Sequence, residues 1–415
     1  MSSVPKKTKR KQLPDTYSLE EIIDLFSEPH VFLRELIQNA VDAQVEAGSR
    51  EPVEVSTEFT PHKAEAELPN GLGCGVFTTQ VVDHGTGMNR KDIDSKLVHL
   101  WNAWKDDRPE LVGSYGVGFL SVFAFEPNAI IVETGRAGES LKLIFKENRR
   151  FDRIPLEHEF TGTLVKVVKK VRTRDVEPLQ LALRSTLKRW CRMAEIEIRF
   201  EGETINEVFP YTEELAWSLG PADAYKRLSV RPRTEDDLYY EFYCNGFLVE
   251  QGRHEELSLP GVTFRVDSSS IRYLPTRDKV ERDDSLAMIL REMRQAVETG
   301  YVSHLIGLLV ISPNDKAFGV IACYLPSVSR KDAEEPIIPC SDGSRLSLLQ
   351  VARQARGYKL AWSSREGKDR IVLWDGKSPG LRRLLTSIGH IQGSFLRRIS
   401  NRLYPPRVIE LVEQP

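Results

Sequence analysis

The sequence predicts an α+β fold in two domains, on three observations. Leu33, Leu36, Ile37, Ala40 and Val41 recur at helical spacing across residues 31–47. Residues 75–82, 129–133, 141–146 and 163–171 are strand-forming runs bounded by short turns. A Pro-, Gly- and charge-punctuated stretch over 208–235 separates these from a second set of strands and helices, so a domain boundary falls there. At 415 residues the chain has room for two or three domains. The expected division is a disordered tail 1–14, a first domain 15–215 and a second domain 216–415.

The elements follow in order. A helix over 19–26 breaks near Pro29, and a second runs over 31–47 until Gly48 closes it. One strand is expected near 53–60. The strand 75–82 ends in the turn Gly85–Gly87. A short helix over 120–124 precedes the strands 129–133, 141–146 and 163–171. The helix 176–193 is amphipathic and carries Pro178 in its first turn, where the missing N–H costs nothing. A strand over 196–200 closes the first domain. Beyond the boundary, strands 238–244 and 247–250 meet at Asn245-Gly246, a hairpin signal. A strand over 261–266, a largely helical 285–309 and a strand over 318–325 come next. A helix over 346–356, strands at 359–362 and 371–374, and a helix over 381–403 complete the chain.

Composition removes some classes of function. The 58 Lys and Arg nearly balance the 60 Asp and Glu, so no bulk charge argues for nucleic acid or a membrane surface. Apolar runs stay far short of a bilayer span. The cluster Lys6, Lys7, Lys9, Arg10 and Lys11 has no apolar core behind it, so it is not a secretory signal. It reads as a solvated tail, with a nucleic-acid arm as the alternative. The five cysteines show no metal-ligand pairing, as expected of reduced thiols in the cytoplasm.

Four short segments carry the chemistry: Phe32–Ala43, Val81–Met88, Gly113–Phe119 and Gly162-Thr163. Glu35, Asn39 and Asp42 sit at i, i+4 and i+7, which makes one helix stripe. Taken alone, such a stripe is a solvated face. Asp83 ends a strand and enters a glycine turn; taken alone, it is an Asx turn. The glycines of GSYGVGF free backbone N–H groups at a helix start, a phosphate-binding device of low specificity by itself.

Together, in this order and spacing, the four segments resemble the ATP pocket of the Bergerat fold. That fold is shared by the ninety-kilodalton heat-shock chaperones, DNA gyrase, histidine kinases and MutL. The resemblance implies an α/β sandwich, a mixed sheet covered by helices, followed by a middle or transducer domain. It implies ATP and Mg²⁺ as ligands, with Asn39 on the metal. Glu35 would orient and deprotonate the attacking water, and Asp42 would support the site. Asp83 would accept from the adenine amino group and so discriminate against guanine. Gly85 and Gly87 would let the backbone approach the base, Met88 would pack on it, and Thr163 would join the water network around it. Gly113, Gly116, Val117, Gly118 and Phe119 would lie at the phosphates. The lid between Met88 and Gly113 departs from the chaperone pattern. It carries Trp101, Trp104 and Lys105, and Lys96 stands where the chaperones have asparagine. Lys96 or Lys105 would supply charge to the phosphates, or be surface lysines.

The resemblance continues through Val266-Asp267-Ser268 and Leu274–Asp278, which run like the chaperone middle domain. By position Arg277 is the arginine that reaches the γ-phosphate when the two domains dock, where its charge would stabilise phosphoryl transfer. MutL proteins use a lysine for this, and Lys279 is the competing residue. The usual C-terminal dimerisation domain is expected to be missing. The reading is an HtpG-class, chaperone-like ATPase that acts on a protein client or partner, with an ATP-dependent homodimer possible and no membrane. The alternatives are a MutL-like DNA-associated ATPase and an ATP-gated module of a multi-protein system, for example in defence. A histidine kinase would need a phosphoacceptor helix upstream, and only His30 precedes the site.

Overall fold

The computed structural model of the chain describes residues 30–62, 73–95, 117–146, 151–274, 279–340, 343–354, 361–363, 372–373, 378–388 and 412–413. The helix expected over 19–26 lies outside them. The chain divides into two compact units. One takes residues up to Val208 with Tyr243–Glu250 and Arg272–Glu281; the other takes Phe209–Phe242, Gln251–Ile271 and the chain from Arg282.

The first unit opens on α1 (Val31–Ala47). Its apolar spacing would bury one stripe, yet most of the helix is buried, including Arg34, Glu35, Gln38 and Gln44. Other elements pack around it: α3 (Val117–Ala124), α4 (Val176–Cys191), β1 (Val53–Pro61) and β2 (Cys74–Asp83). The Phe32 ring meets Phe125 at 4.8 Å, and the Arg34 guanidinium lies 4.5 Å from the Trp190 ring centre. Phe32, Leu33 and Ile37 are fully buried. Each such side chain contributes about 1.5–3 kcal/mol. Gly48 ends the helix at φ 71°, and the Ser49 N–H donates to the Gln44 carbonyl at 2.9 Å. Left-handed backbone there favours glycine.

The helices rest on one face of an eight-stranded sheet. Its remaining strands are β3 (Ala129–Arg136), β4 (Glu139–Lys146), β5 (Phe151–Pro155), β6 (Gly162–Arg172), β7 (Ile198–Phe200) and β8 (Glu203–Thr204). The order is β5-β4-β3-β6-β2-β1-β7-β8. β1 and β7 are parallel and the other neighbours antiparallel, so the sheet is mixed. Burial alternates along β2, with Gly75, Phe77, Thr79, Val81 and Asp83 buried. The period of two therefore places Asp83 on the same side as the core. A four-residue helix, α2 (Arg90–Ile93), follows the turn, capped by Asn89.

The second sheet has the order β12-β11-β13-β10-β9. Its strands are β9 (Trp217–Leu219), β10 (Arg227–Pro232), β11 (Tyr240–Cys244), β12 (Phe247–Gly252) and β13 (Val262–Asp267). The stretch 208–235 thus holds two strands. Asn245 and Gly246 both adopt positive φ, 53° and 82°, the backbone that a two-residue hairpin needs. Helices α5 (Asp284–Ala296) and α6 (Val302–Ile311) flank a π-helical turn, Val297–Tyr301.

The expected strand over 318–325 is a helix, α7 (Asp315–Tyr324). The Asn314 side chain caps it, accepting from the Lys316 N–H at 3.1 Å and the Ala317 N–H at 3.4 Å. After α8 (Arg330–Glu334), β14 (Pro336–Pro339) pairs with β15 (Arg345–Ser347) and leads into α9 (Leu348–Gln354). Three short strands near 361–363, 372–373 and 412–413 form a further sheet. Residues 379–388 are helical, and the rest of the helix expected to 403 lies outside the described residues.

Candidate functional site

Asp83 is the last residue of β2 and only 6% exposed. Its Oδ1 accepts from the Gly85 N–H at 2.9 Å, and its carboxylate also accepts from the Thr163 backbone N–H. The Asx turn expected of D-x-G is therefore present. The turn beyond Asp83 is seated on α1. The Thr86 N–H donates to the Ala43 carbonyl at 3.3 Å, and the His84 N–H to Gln44 Oε1 at 3.4 Å. A Cβ on Gly85 would lie 2.6 Å from the Ala43 Cβ. The helix itself thus requires glycine at this point, independently of any ligand.

Gly87 is held more tightly. Its φ is 60°, and a Cβ there would lie 2.1 Å from the Gly135 carbonyl oxygen. Gly162, at φ 98°, would bring a Cβ to 2.3 Å from the Asp83 carbonyl oxygen. These glycines let β2, β3 and β6 close on one another where Asp83 faces Thr163 in the β2–β6 register.

A fully buried hydroxyl, Thr134 of β3, ties this crossing together. It accepts from the Met88 N–H at 2.9 Å, lies 3.0 Å from the Gly162 carbonyl oxygen and 3.1 Å from Thr163 Oγ1. Sequence reading missed Thr134. Its role depends on a cross-strand neighbour 29 residues away. No local pattern marks it.

Burial pushes the Asp83 carboxyl up from the ordinary 3.8 to about 6, against the N–H groups of Gly85 and Thr163, which lower it. At neutral pH the group is a carboxylate with little access to water. Between pH 3.8 and about 6 the folded chain holds a proton that the unfolded chain has released. Stability from this group is full below the lower value and declines as pH rises through the higher, by about 3 kcal/mol in all. We therefore expect the stability of the parent relative to Asp83→Asn to fall between pH 4 and pH 7. Urea unfolding of both proteins across that range checks this, and a difference independent of pH would contradict it.

The three residues of the α1 stripe separate by burial. Glu35 is 1% exposed, whereas Asn39 and Asp42 are exposed. Asp42 precedes Ala43, the residue that meets the Gly85 turn. Glu35 is close enough to Cys191 to help raise that buried thiol, which burial itself pushes up to about 12 and Arg34 opposes. The start of α3 places Gly118 and Phe119 on the helix that packs against α1. The Phe119 ring is buried, 6.4 Å from the Phe145 ring, so the ring packs in the core and is not offered to a ligand. Val117 opens that helix. Lys96, Lys105, Gly113, Gly116 and Arg277 lie outside the described residues.

Among the described residues no group of three or more His, Cys, Asp or Glu could hold a metal ion. Asn39 offers one exposed amide oxygen. A single neutral oxygen suits Mg²⁺, which keeps several waters and takes further ligands from phosphates. The residues present therefore fit a cation that arrives with a phosphate ligand. No helix among the described residues is long and apolar enough to cross a membrane.

Residues 27–153 match the sequence model of the family described as histidine kinase-, DNA gyrase B-, and HSP90-like ATPase. The chain is 24% identical over 240 residues to a chaperone protein HtpG of Bdellovibrio bacteriovorus, covering 54% of this chain and 36% of that protein. It is 23% identical over 248 residues to a chaperone protein HtpG of Porphyromonas gingivalis, covering 52% of this chain and 35% of the relative. The matches thus span about a third of the length of these relatives.

Proposed function

From a chain that carries a histidine kinase-, DNA gyrase B- and HSP90-like ATPase domain, we propose an ATP-binding, ATP-hydrolysing, chaperone-like protein whose nucleotide cycle drives lid and domain closure on a protein client or partner. The observation that carries the reading is Asp83, a buried acceptor held at a glycine turn beside Thr163. A desolvated carboxylate favours a ligand that brings N–H donors, and the adenine amino group is one.

In this reading Asp83 accepts from that amino group, and Met88 with the turn Gly85–Gly87 shapes the base pocket. The N–H groups at the start of α3 face the phosphates, where the helix dipole favours negative charge. The reading also assigns Gly113, Gly116 and Lys96, which lie outside the described residues, to the phosphates. Asn39 would hold Mg²⁺, which neutralises phosphate charge when bound. Glu35 takes the proton of the attacking water, and Asp42 supports the polar stripe. The name of the relatives, chaperone protein HtpG, supports a protein client over nucleic acid. An ATP-dependent homodimer and a cytoplasmic site of action go with it.

Calorimetric titration of the full chain with ATP tests the reading, and absence of binding would sink it. Arg277 is assigned to the γ-phosphate in this cycle. Arg277→Ala should lower turnover while ATP affinity stays within about threefold, since a guanidinium that acts on the developing charge adds little to ground-state binding. Loss of turnover in Lys279→Ala instead would favour the MutL-like alternative.

A further inference from the structure

The Thr134 hydroxyl has three polar neighbours and one hydrogen. The Met88 N–H can only donate to it, at 2.9 Å. The Gly162 carbonyl oxygen, at 3.0 Å, can only accept from it. The single hydrogen of Thr134 therefore goes to Gly162. Thr163 Oγ1, at 3.1 Å, must then be the donor in the remaining contact, because two lone pairs would otherwise face each other. This arrangement gives Thr134 one donated and two accepted bonds, the full capacity of a hydroxyl. A fully buried residue gains most from it, since any of these groups left unpaired would cost free energy.

The consequence falls on Thr163. Its only hydroxyl hydrogen points inward, so the hydroxyl of this half-buried residue offers lone pairs alone to a ligand or water. Its cross-strand partner Asp83 is likewise an acceptor. We infer that Thr134 is a positioning residue that fixes Thr163 as an acceptor, so that Asp83 and Thr163 together form an edge selective for paired N–H donors.

This inference rests on the nucleotide reading for the identity of the ligand. A purine that donates its amino group to Asp83 sets the neighbouring ring position beside Thr163. In adenine that position is an acceptor, so it needs a bridging water as donor. Isoguanine keeps the amino group and carries N–H at the neighbouring ring position, so it matches both acceptors directly.

The test compares ATP with isoguanosine triphosphate on the full chain, by calorimetric titration. Thr134→Val releases the Thr163 hydrogen to turn outward. The ratio of the two affinities should then move about tenfold toward ATP, the size of one neutral hydrogen bond gained or lost. Thr134→Ser should keep the parental ratio. A change in Thr134→Val that weakens both ligands equally, or leaves the ratio unmoved, overturns the inference. Should Thr134→Val fail to fold, hydroxyl-proton NMR of the nucleotide-free parent decides. The Thr163 hydroxyl hydrogen should be protected from exchange, and rapid exchange overturns the assignment. A parent that binds neither nucleotide would overturn the ATP reading, while the exchange measurement would still judge Thr134.

Discussion

Asp83→Asn should bind ATP about ten- to a hundredfold more weakly than the parent, the cost of replacing a charged acceptor in a buried hydrogen bond. The parental carboxylate can take N–H donors on both oxygens. The N–H groups of Gly85 and Thr163 already use part of this capacity, so the ligand must be met by the remaining lone pairs. An asparagine presents one oxygen and one NH₂. If its oxygen stays with Gly85, the NH₂ faces the adenine amino group, donor against donor. If the amide flips, the turn loses its N–H partner and the base gains one. Either way at least one buried bond is lost. The substitution also relieves a stress, because burial has raised the Asp83 carboxyl to about 6. The variant should therefore lose affinity without losing the fold. Calorimetric titration beside urea unfolding separates the two effects. Near-parental ATP affinity in Asp83→Asn would remove this residue from the base pocket.

Local patterns in the chain revealed much of the first unit. α1 was legible end to end, because its apolar spacing is regular and Gly48 stops it. β2 and β6 were legible from alternation and from the turns that bound them. β10 was not. Its alternate positions Arg227, Ser229 and Arg231 read as solvent-facing, yet Ser229 is fully buried, while Arg227 pairs with Asp267 and Arg231 with Asp237. Charge read as exposure conceals a strand that pairs with the nearby β9 and the more distant β13. α7 failed for the opposite reason. Ala317, Phe318, Val320, Ile321, Ala322 and Tyr324 are all buried, so the helix has little polar face and its short apolar run looks like a strand. The cap Asn314 was the signal that distinguishes them. At the candidate site, Asp83 and the glycine turn stood out because D-x-G is local. Thr134 did not, because only the β3–β6 register brings its hydroxyl to Thr163. Nor does spacing show that the stripe on α1 runs from a buried Glu35 to an exposed Asn39. That depends on what covers each turn of the helix.

Glu35→Gln should retain ATP and lose hydrolysis by about 10²–10⁴-fold, the range that a general base contributes. Burial decides the choice of substitution. Glu35 is 1% exposed on a helix packed by α3 and α4, so truncation to alanine would leave a void and mix a folding defect with a chemical one. Glutamine keeps the volume and one acceptor oxygen but cannot take a proton from water. A carboxylate so enclosed meets few waters, which suits a base that acts on a single positioned molecule. Arg34, next in the chain and equally buried, brings a positive charge into the same layer, and Cys191 senses both. The expected signature is a fall in kcat with ATP affinity within about threefold of the parent, since an interaction made only in the transition state leaves ground-state binding alone. Single-turnover hydrolysis with enzyme in excess isolates that step from product release. If Glu35→Gln turns over ATP at the parental rate, the water is activated elsewhere, and the exposed Asp42 on the same stripe becomes the residue to test next.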